Sequence, residues 1–237
     1  DFDNAEPNIV ELKYSNSVSL KDRKQACVKN IGKLRGAANS FWKTVFPKDV
    51  QEINYHSEVE CGYVLMYDLF LRLRRNIPST YDMKKRLAQL YRPLMDNHGI
   101  KVLDILSKQN NKRDMIEQVI HNQVSLETLI MSEQYYLTDL DVWVLCDFYK
   151  LPVLLISEDS LDSLNLNVPW LVMGGNKDVD VYYCVYSPKL DEMPEYRIIN
   201  FGLGLGKMDD FKTLLDDPEY AGHALTIDSY LETYSIM

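Results

Sequence analysis

The chain lacks any paired cysteine spacing. Its four cysteines, Cys27, Cys61, Cys146 and Cys184, stand 34, 85 and 38 positions apart. Neither a disulfide framework nor a Cys-x-x-Cys zinc ribbon is expected, and free thiols point to a reducing, intracellular setting. Histidine is scarce, with four in 237 residues, and none stands at metal-ligand spacing from a cysteine or another histidine, so no metal or other cofactor is expected. No run of eighteen apolar residues occurs, and the opening Asp1 and Phe2 do not begin a cationic start followed by an apolar core. Neither a membrane span nor a signal peptide is therefore expected, and the start reads as a domain cut from a longer polypeptide. Repeats and low-complexity tracts are also missing.

The charge is unevenly spread. Residues 1 to 100 hold 16 Lys and Arg against 12 Asp and Glu, and the remainder hold 10 against 23. So acidic a second half repels nucleic acid phosphates and suits solubility or a basic protein partner. Two basic runs in the first half, "LRLRRN" from residue 71 and "KKR" from residue 84, suit a solvated helix edge, with phosphate or an acidic protein as the alternative. Sixteen tyrosines offer an aromatic surface for protein contacts.

Periodicity places helices first. Residues 20 to 46 space Ala26, Val28, Ile31, Leu34 and Ala38 near a helical repeat that stops at Pro47, and "KDVQEINYHSEVE" after it reads as an exposed loop. "CGYVLMYDLFLRLRRN" is apolar almost throughout, which predicts a buried helix opened by Cys61 and ended by Pro78. Three more helices are expected, in "TYDMKKRLAQLYR" before Pro93, in "GIKVLDILSKQ" and in "KRDMIEQVIHN". In "YYLTDLDVWVLCDFYKLPVLLIS" Thr138 and Asp141 have the spacing of a capping box, with Leu140, Trp143, Val144 and Phe148 on one stripe; after Lys150 the apolar run predicts a central strand. "PWLVMGG", "DVYYCVYSP" and "YRIINFG" are rich in β-branched and aromatic residues and read as further strands. The glycines of "FGLGLGKMDDF" fail as a phosphate loop, because Lys207 stands where the third glycine of G-x-G-x-x-G belongs. A short helix and one further segment are expected in the tail.

These elements predict an α+β protein with a helix-rich N-terminal half and a small, mostly antiparallel sheet of about four strands covered by helices. Residues 1–50 are expected to form an N-terminal extension with a helix, and residues 51–237 the α+β domain.

The order of features resembles the ovarian-tumour-type (OTU) cysteine proteases, and particularly their divergent relatives in large DNA viruses. The resemblance is best from Met131 to Ser187, about a quarter of the chain, where an acidic helix precedes a strand and then a strand pair joined by "GGNKDVDV". It implies a deubiquitinase-type fold in an intracellular or virion protein, with ubiquitin or another protein as partner and no nucleic acid or membrane. Cys61 in "SEVECGYVLMYDLF" falls in the nucleophile's place, where a helix N-terminus favours thiolate and backbone N–H groups near residues 58 to 62 can hold an oxyanion. The glycine and aspartate that lead the family's box are absent, and Glu58 and Glu60 stand beside the thiol. Where the family carries its histidine this chain has Tyr183, a poor base at neutral pH. His223 in "YAGHALTID", or His56 five residues before Cys61, would have to supply the imidazole. Three readings stay open: an active isopeptidase using Cys61 and His223, a catalytically degenerate ubiquitin- or protein-binding module, and a structural or assembly domain without a link to ubiquitin.

Overall fold

A computed structural model of the chain describes residues 51–55, 60–157, 170–174, 181–187, 194–200, 206–207 and 226–236. The helix expected between residues 20 and 46, and with it the 1–50 extension, lies outside the described residues. The described part is α+β, with six helices and a mixed sheet. In chain order it runs β1 (Gln51–Tyr55), α1 (Cys61–Arg72), α2 (Thr80–Lys108), α3 (Arg113–Ile120), α4 (Leu126–Met131), α5 (Asp139–Tyr149), β2 (Val153–Ser157), β3 (Trp170–Gly174), β4 (Val181–Ser187), β5 (Tyr196–Asn200), β6 (Gly206–Lys207) and α6 (Ile227–Thr233).

The sheet centres on three strands, β5, β4 and β2, of which β4 and β5 are antiparallel and β2 and β4 parallel. β1 extends it beyond β5, β3 beyond β2, and β6 pairs with the start of β4. The two strands joined by "GGNKDVDV" are therefore not neighbours, because β2 lies between β3 and β4. The segment read as an exposed loop after Pro47 also contributes β1, whose Ile53 and Tyr55 are buried. That strand was hidden because only two of its five residues are apolar, at alternate positions.

α1 packs on β1 and β5, and α5 packs on β2 and β3. The sheet face turned to them carries Ile53, Tyr55, Val153, Leu155, Tyr183, Val185, Tyr196 and Ile198, every second residue of four strands, all in one hydrophobic core. Each large apolar side chain buried there contributes about 1.5–3 kcal/mol. Residues Cys61 to Phe70 are buried without exception, as their composition required of a helix between sheet and helices. α5 is buried over its first eight residues rather than along one stripe, and Phe148, assigned to that stripe, is exposed.

α2 corrects the expectation of two helices separated at Pro93. Helix runs through Pro93, and the interruption comes at His98 (φ −138, ψ 25), just before Gly99. A proline inside a helix costs about 3 kcal/mol, which Met83, Leu87 and Tyr91 before it and Val102, Ile105 and Leu106 after it outweigh by burial. α2 then serves as the spine on which α3, α4, α5 and α6 pack. The tail is fastened to it: Lys101 Nζ donates to the carbonyls of Leu231 and Glu232, at 2.7 and 3.0 Å, and Tyr234 donates to Asp104. Cations near these last carbonyls of α6 satisfy its unpaired acceptors.

α1 does not run to Pro78. It stops at Arg72 with Leu73 as its cap, and Arg74 turns the chain in the left-handed region (φ 54) while the Arg75 N–H returns to the Phe70 carbonyl. Arginine in that conformation costs about 1 kcal/mol more than glycine.

The tyrosines are the largest departure from the sequence reading. Twelve of the fourteen described tyrosines are buried, among them Tyr63, Tyr91, Tyr135, Tyr183, Tyr196 and Tyr230. They are core residues whose hydroxyls find partners inside, such as the Tyr135 and Leu137 carbonyls for Tyr63 and Tyr196. The aromatic surface anticipated from their number is accordingly small. Among the described residues no helix is long and apolar enough to cross a membrane.

Candidate functional site

Cys61 is the first residue of α1. Glu60 precedes it with helical dihedrals (φ −95, ψ −8) and offers no side-chain cap, so the N–H groups of the first turn keep their partial positive charge. That favours a thiolate, but by only about 0.3–2 kcal/mol. Opposed to it, the sulfur is buried at 1% exposure and donates its proton to the Tyr55 carbonyl at 2.6 Å. Ionisation would set a buried anion against a carbonyl oxygen, a cost of several kcal/mol. The site therefore holds a proton-donating thiol.

Around it, the first turn of α1 meets the stretch before α5. Gly62 lies so close to Leu137 that an added Cβ would fall 2.6 Å from the Leu137 Cβ. The Leu137 carbonyl accepts from Tyr196 of β5 at 3.1 Å. Burial, reinforced by Asp139 and Cys61, pushes the Tyr196 phenol well above its ordinary pKa, which leaves it a donor and not a base.

Tyr183 stands elsewhere along the helix. Its electrical neighbours are Arg72 and Asp68, and burial raises its pKa although Arg72 acts in the other direction. Asp68 accepts from Tyr55 and from Arg72 Nε, the latter at 2.6 Å. Burial opposes the Arg72 charge, yet Asp68 and then Tyr55 outweigh it and hold the guanidinium above its usual value. Asp68 lies seven residues beyond Cys61, about 10 Å along the helix axis at 1.5 Å per residue. Tyr183 of β4 thus feels the charges of Arg72 and Asp68, farther along α1 than Cys61. Of the imidazoles, His98 marks the break in α2 and His121 closes α3; His56 and His223 lie outside the described residues.

The densest polar cluster was not anticipated as one. Asp141 is fully buried and accepts at Oδ1 from Tyr91 (2.7 Å) and Tyr135 (2.9 Å), and at Oδ2 from Lys112 Nζ (2.7 Å), the Thr138 N–H (2.8 Å) and the Thr138 hydroxyl (3.1 Å). The capping box read from the sequence is there, and it forms one corner of this larger arrangement. Lys112, also at 0% exposure, lies 3.9 Å above the Tyr135 ring. Burial lowers its pKa against the pull of Asp141, and burial followed by Asp141 holds Tyr91 and Tyr135 well above theirs. Five donors leave the carboxylate nothing with which to take a substrate proton, so the cluster's work is to tie the α2–α3 junction to the start of α5. Lys112 lies 29 residues and Tyr91 50 residues from Asp141, and no local pattern could have joined them.

A second buried lysine makes stability depend on pH. Lys84, 2% exposed, donates to the Ser132 carbonyl at 2.5 Å beneath Tyr63, and burial lowers its pKa from 10.5 to about 8 despite Glu133. Between those values the unfolded chain binds the extra proton, so stability rises with pH across that window, and the cost of the charge is fully present below it. Lys84→Met removes this slope and gains about 1 kcal/mol near pH 7, read by urea titrations from pH 7 to 10.5. An unchanged slope would mean that Lys84 is not the group responsible.

Among the described residues no group of three or more His, Cys, Asp or Glu could hold a metal ion. Comparison of the chain with protein-family models, with curated proteins and with solved structures finds no match.

Proposed function

We propose that the chain is an OTU-like α+β module that binds a protein, with ubiquitin the first partner to test, and does not hydrolyse it. The observation that carries this reading is the state of Cys61: it heads a buried helix lying on the sheet, as the resemblance implies, but its proton is committed to the Tyr55 carbonyl and its sulfur is shielded. The phenol in the histidine's place supports the same reading, since burial raises the Tyr183 pKa and makes it a still poorer base. Nucleophilic attack needs a thiolate, and a thiol that donates to a backbone carbonyl is not one. Burial also pushes the Cys146 and Cys184 thiols far up, and three free buried thiols suit an intracellular or virion setting.

The test is a ubiquitin carrying a thiol-reactive group at its C-terminus, followed by intact mass. The expected result is no adduct on the folded chain, with Cys61 reacting only after denaturation. An adduct on the folded chain that Cys61→Ala abolishes would restore the isopeptidase reading and require His223 as its base. Titration of unmodified ubiquitin in parallel separates the two inert alternatives: binding supports the degenerate module, and its absence favours the structural or assembly domain.

A further inference from the structure

One arginine from each of the two basic runs reaches the end of α5. The turn that ends α1 sets Arg75 Nη1 on the Tyr149 carbonyl at 2.6 Å, and from α2 the Arg86 guanidinium lies 4.5 Å over the Phe148 ring. Phe148 and Tyr149 stack edge to face (4.9 Å), and Tyr149 meets Phe70 of α1 in the same way (5.0 Å). Lys150 follows at once in the left-handed turn that closes α5. Arg74, Arg75 and Lys150 are exposed, and Phe148 is exposed at 38%. The end of α1, the first turns of α2 and the end of α5 thus meet in a surface that carries Arg75, Arg86 and Lys150 beside a partly exposed aromatic ring.

Two carboxylates share the area and offset part of its charge. Asp82 accepts from Ser79 at 2.6 Å in the cap of α2, and Asp147 stands 4.0 Å from Lys150. On a chain of net charge −9 whose residues after 100 hold 23 Asp and Glu against 10 Lys and Arg, an excess of cations in one place is selective. The geometry points to a docking surface for an acidic protein segment that carries an apolar or aromatic anchor. The cations would meet the carboxylates, and Phe148 with the Tyr149 edge would take the anchor. A long polyanion such as nucleic acid would be repelled by the rest of the molecule; a short acidic segment reaches the cations without crossing that field. The inference goes beyond the reading of Cys61, uses none of the atoms around that thiol, and its failure would leave the inertness of Cys61 untouched.

The probe is a fluorescein-labelled peptide of about twelve residues, alternating Glu and Asp around one central Phe, titrated with the full chain by fluorescence anisotropy. Saturable binding that weakens with added salt is expected. Phe148→Ser and Lys150→Glu should each weaken it by roughly tenfold, a change of about 1.4 kcal/mol, whereas Arg113→Glu, at an exposed cation on α3, should leave it unchanged. Arg75→Glu is the harsher variant because it removes the bond to Tyr149, so it is read only where its thermal melt matches wild type. No saturation, equal weakening by Arg113→Glu, or tighter binding of a single-stranded DNA of the same length would overturn the inference.

Discussion

Asp141→Ala lowers the stability of the domain by about 3–5 kcal/mol, a large share of the roughly 5–15 kcal/mol that holds a domain of this kind together. The variant strands a buried ammonium. Lys112 at 0% exposure loses its counter-ion, the hydroxyls of Tyr91 and Tyr135 lose their common acceptor, and the Thr138 N–H that opens α5 loses its cap. Each abandoned donor carries its own desolvation cost, which is why removing one partner hurts more than the net worth of the pair. Lys112→Met should cost less, because the carboxylate keeps Tyr91, Tyr135 and Thr138 as donors. The double variant Asp141→Ala/Lys112→Met should recover at least 1 kcal/mol over Asp141→Ala alone, since no unpaired charge then remains. Urea denaturation read by circular dichroism gives all three values. A loss below about 1 kcal/mol for Asp141→Ala would mean that the cluster is not closed in solution.

The same cluster marks the boundary of what the sequence discloses. The Thr138–Asp141 box was legible because both ends lie within one helical turn, and the buried helix opened by Cys61 was legible because ten successive residues could only suit an interior. Strand identity was mostly legible too, from β-branched and aromatic runs in β2, β4 and β5. What escaped was set by distance along the chain. The placing of β2 between β3 and β4 is decided by packing against α5, which no strand encodes alone. Pro93 misled because its local cost is visible in sequence while the burial on both sides that outweighs it is not. The tyrosines misled for a related reason: a phenol reads as amphipathic, and only the fold supplies the carbonyls and carboxylates that let it be buried. For the candidate site, position 61 was found by pattern, but the Tyr55 carbonyl that holds its proton belongs to a strand read as a loop. The contact with an imidazole that would make an enzyme could not be read from spacing at all.

Gly62→Ala and Gly99→Ala should change stability in opposite directions, although both glycines lie in helices, where alanine is ordinarily better by about 1 kcal/mol. At Gly99 the new Cβ would meet the Met95 Cε at 3.5 Å, an ordinary contact with the end of a flexible side chain. A gain of about 0.4–1 kcal/mol is expected there. At Gly62 it would lie 2.6 Å from the Leu137 Cβ and 3.3 Å from the Leu137 carbonyl oxygen, which also holds the Tyr196 hydroxyl. Leu137 is fully buried and the clash is with the root of its side chain, so no rotamer relieves it. Overpacking of this kind costs about 1–3 kcal/mol and exceeds the helical gain. The first turn of α1 must then move away from the stretch before α5, and the Cys61 contact with the Tyr55 carbonyl moves with it. Gly62→Ala should therefore show a second effect that a merely looser core elsewhere would not: Cys61 reacts with a thiol reagent in the folded state at least tenfold faster than in wild type, a change of about 1.4 kcal/mol in protection. Thermal melts of the two variants, with thiol labelling followed by peptide mass, read both effects. Equal signs for the two glycines, or an unchanged rate at Cys61, would show that the α1 terminus is not wedged against Leu137.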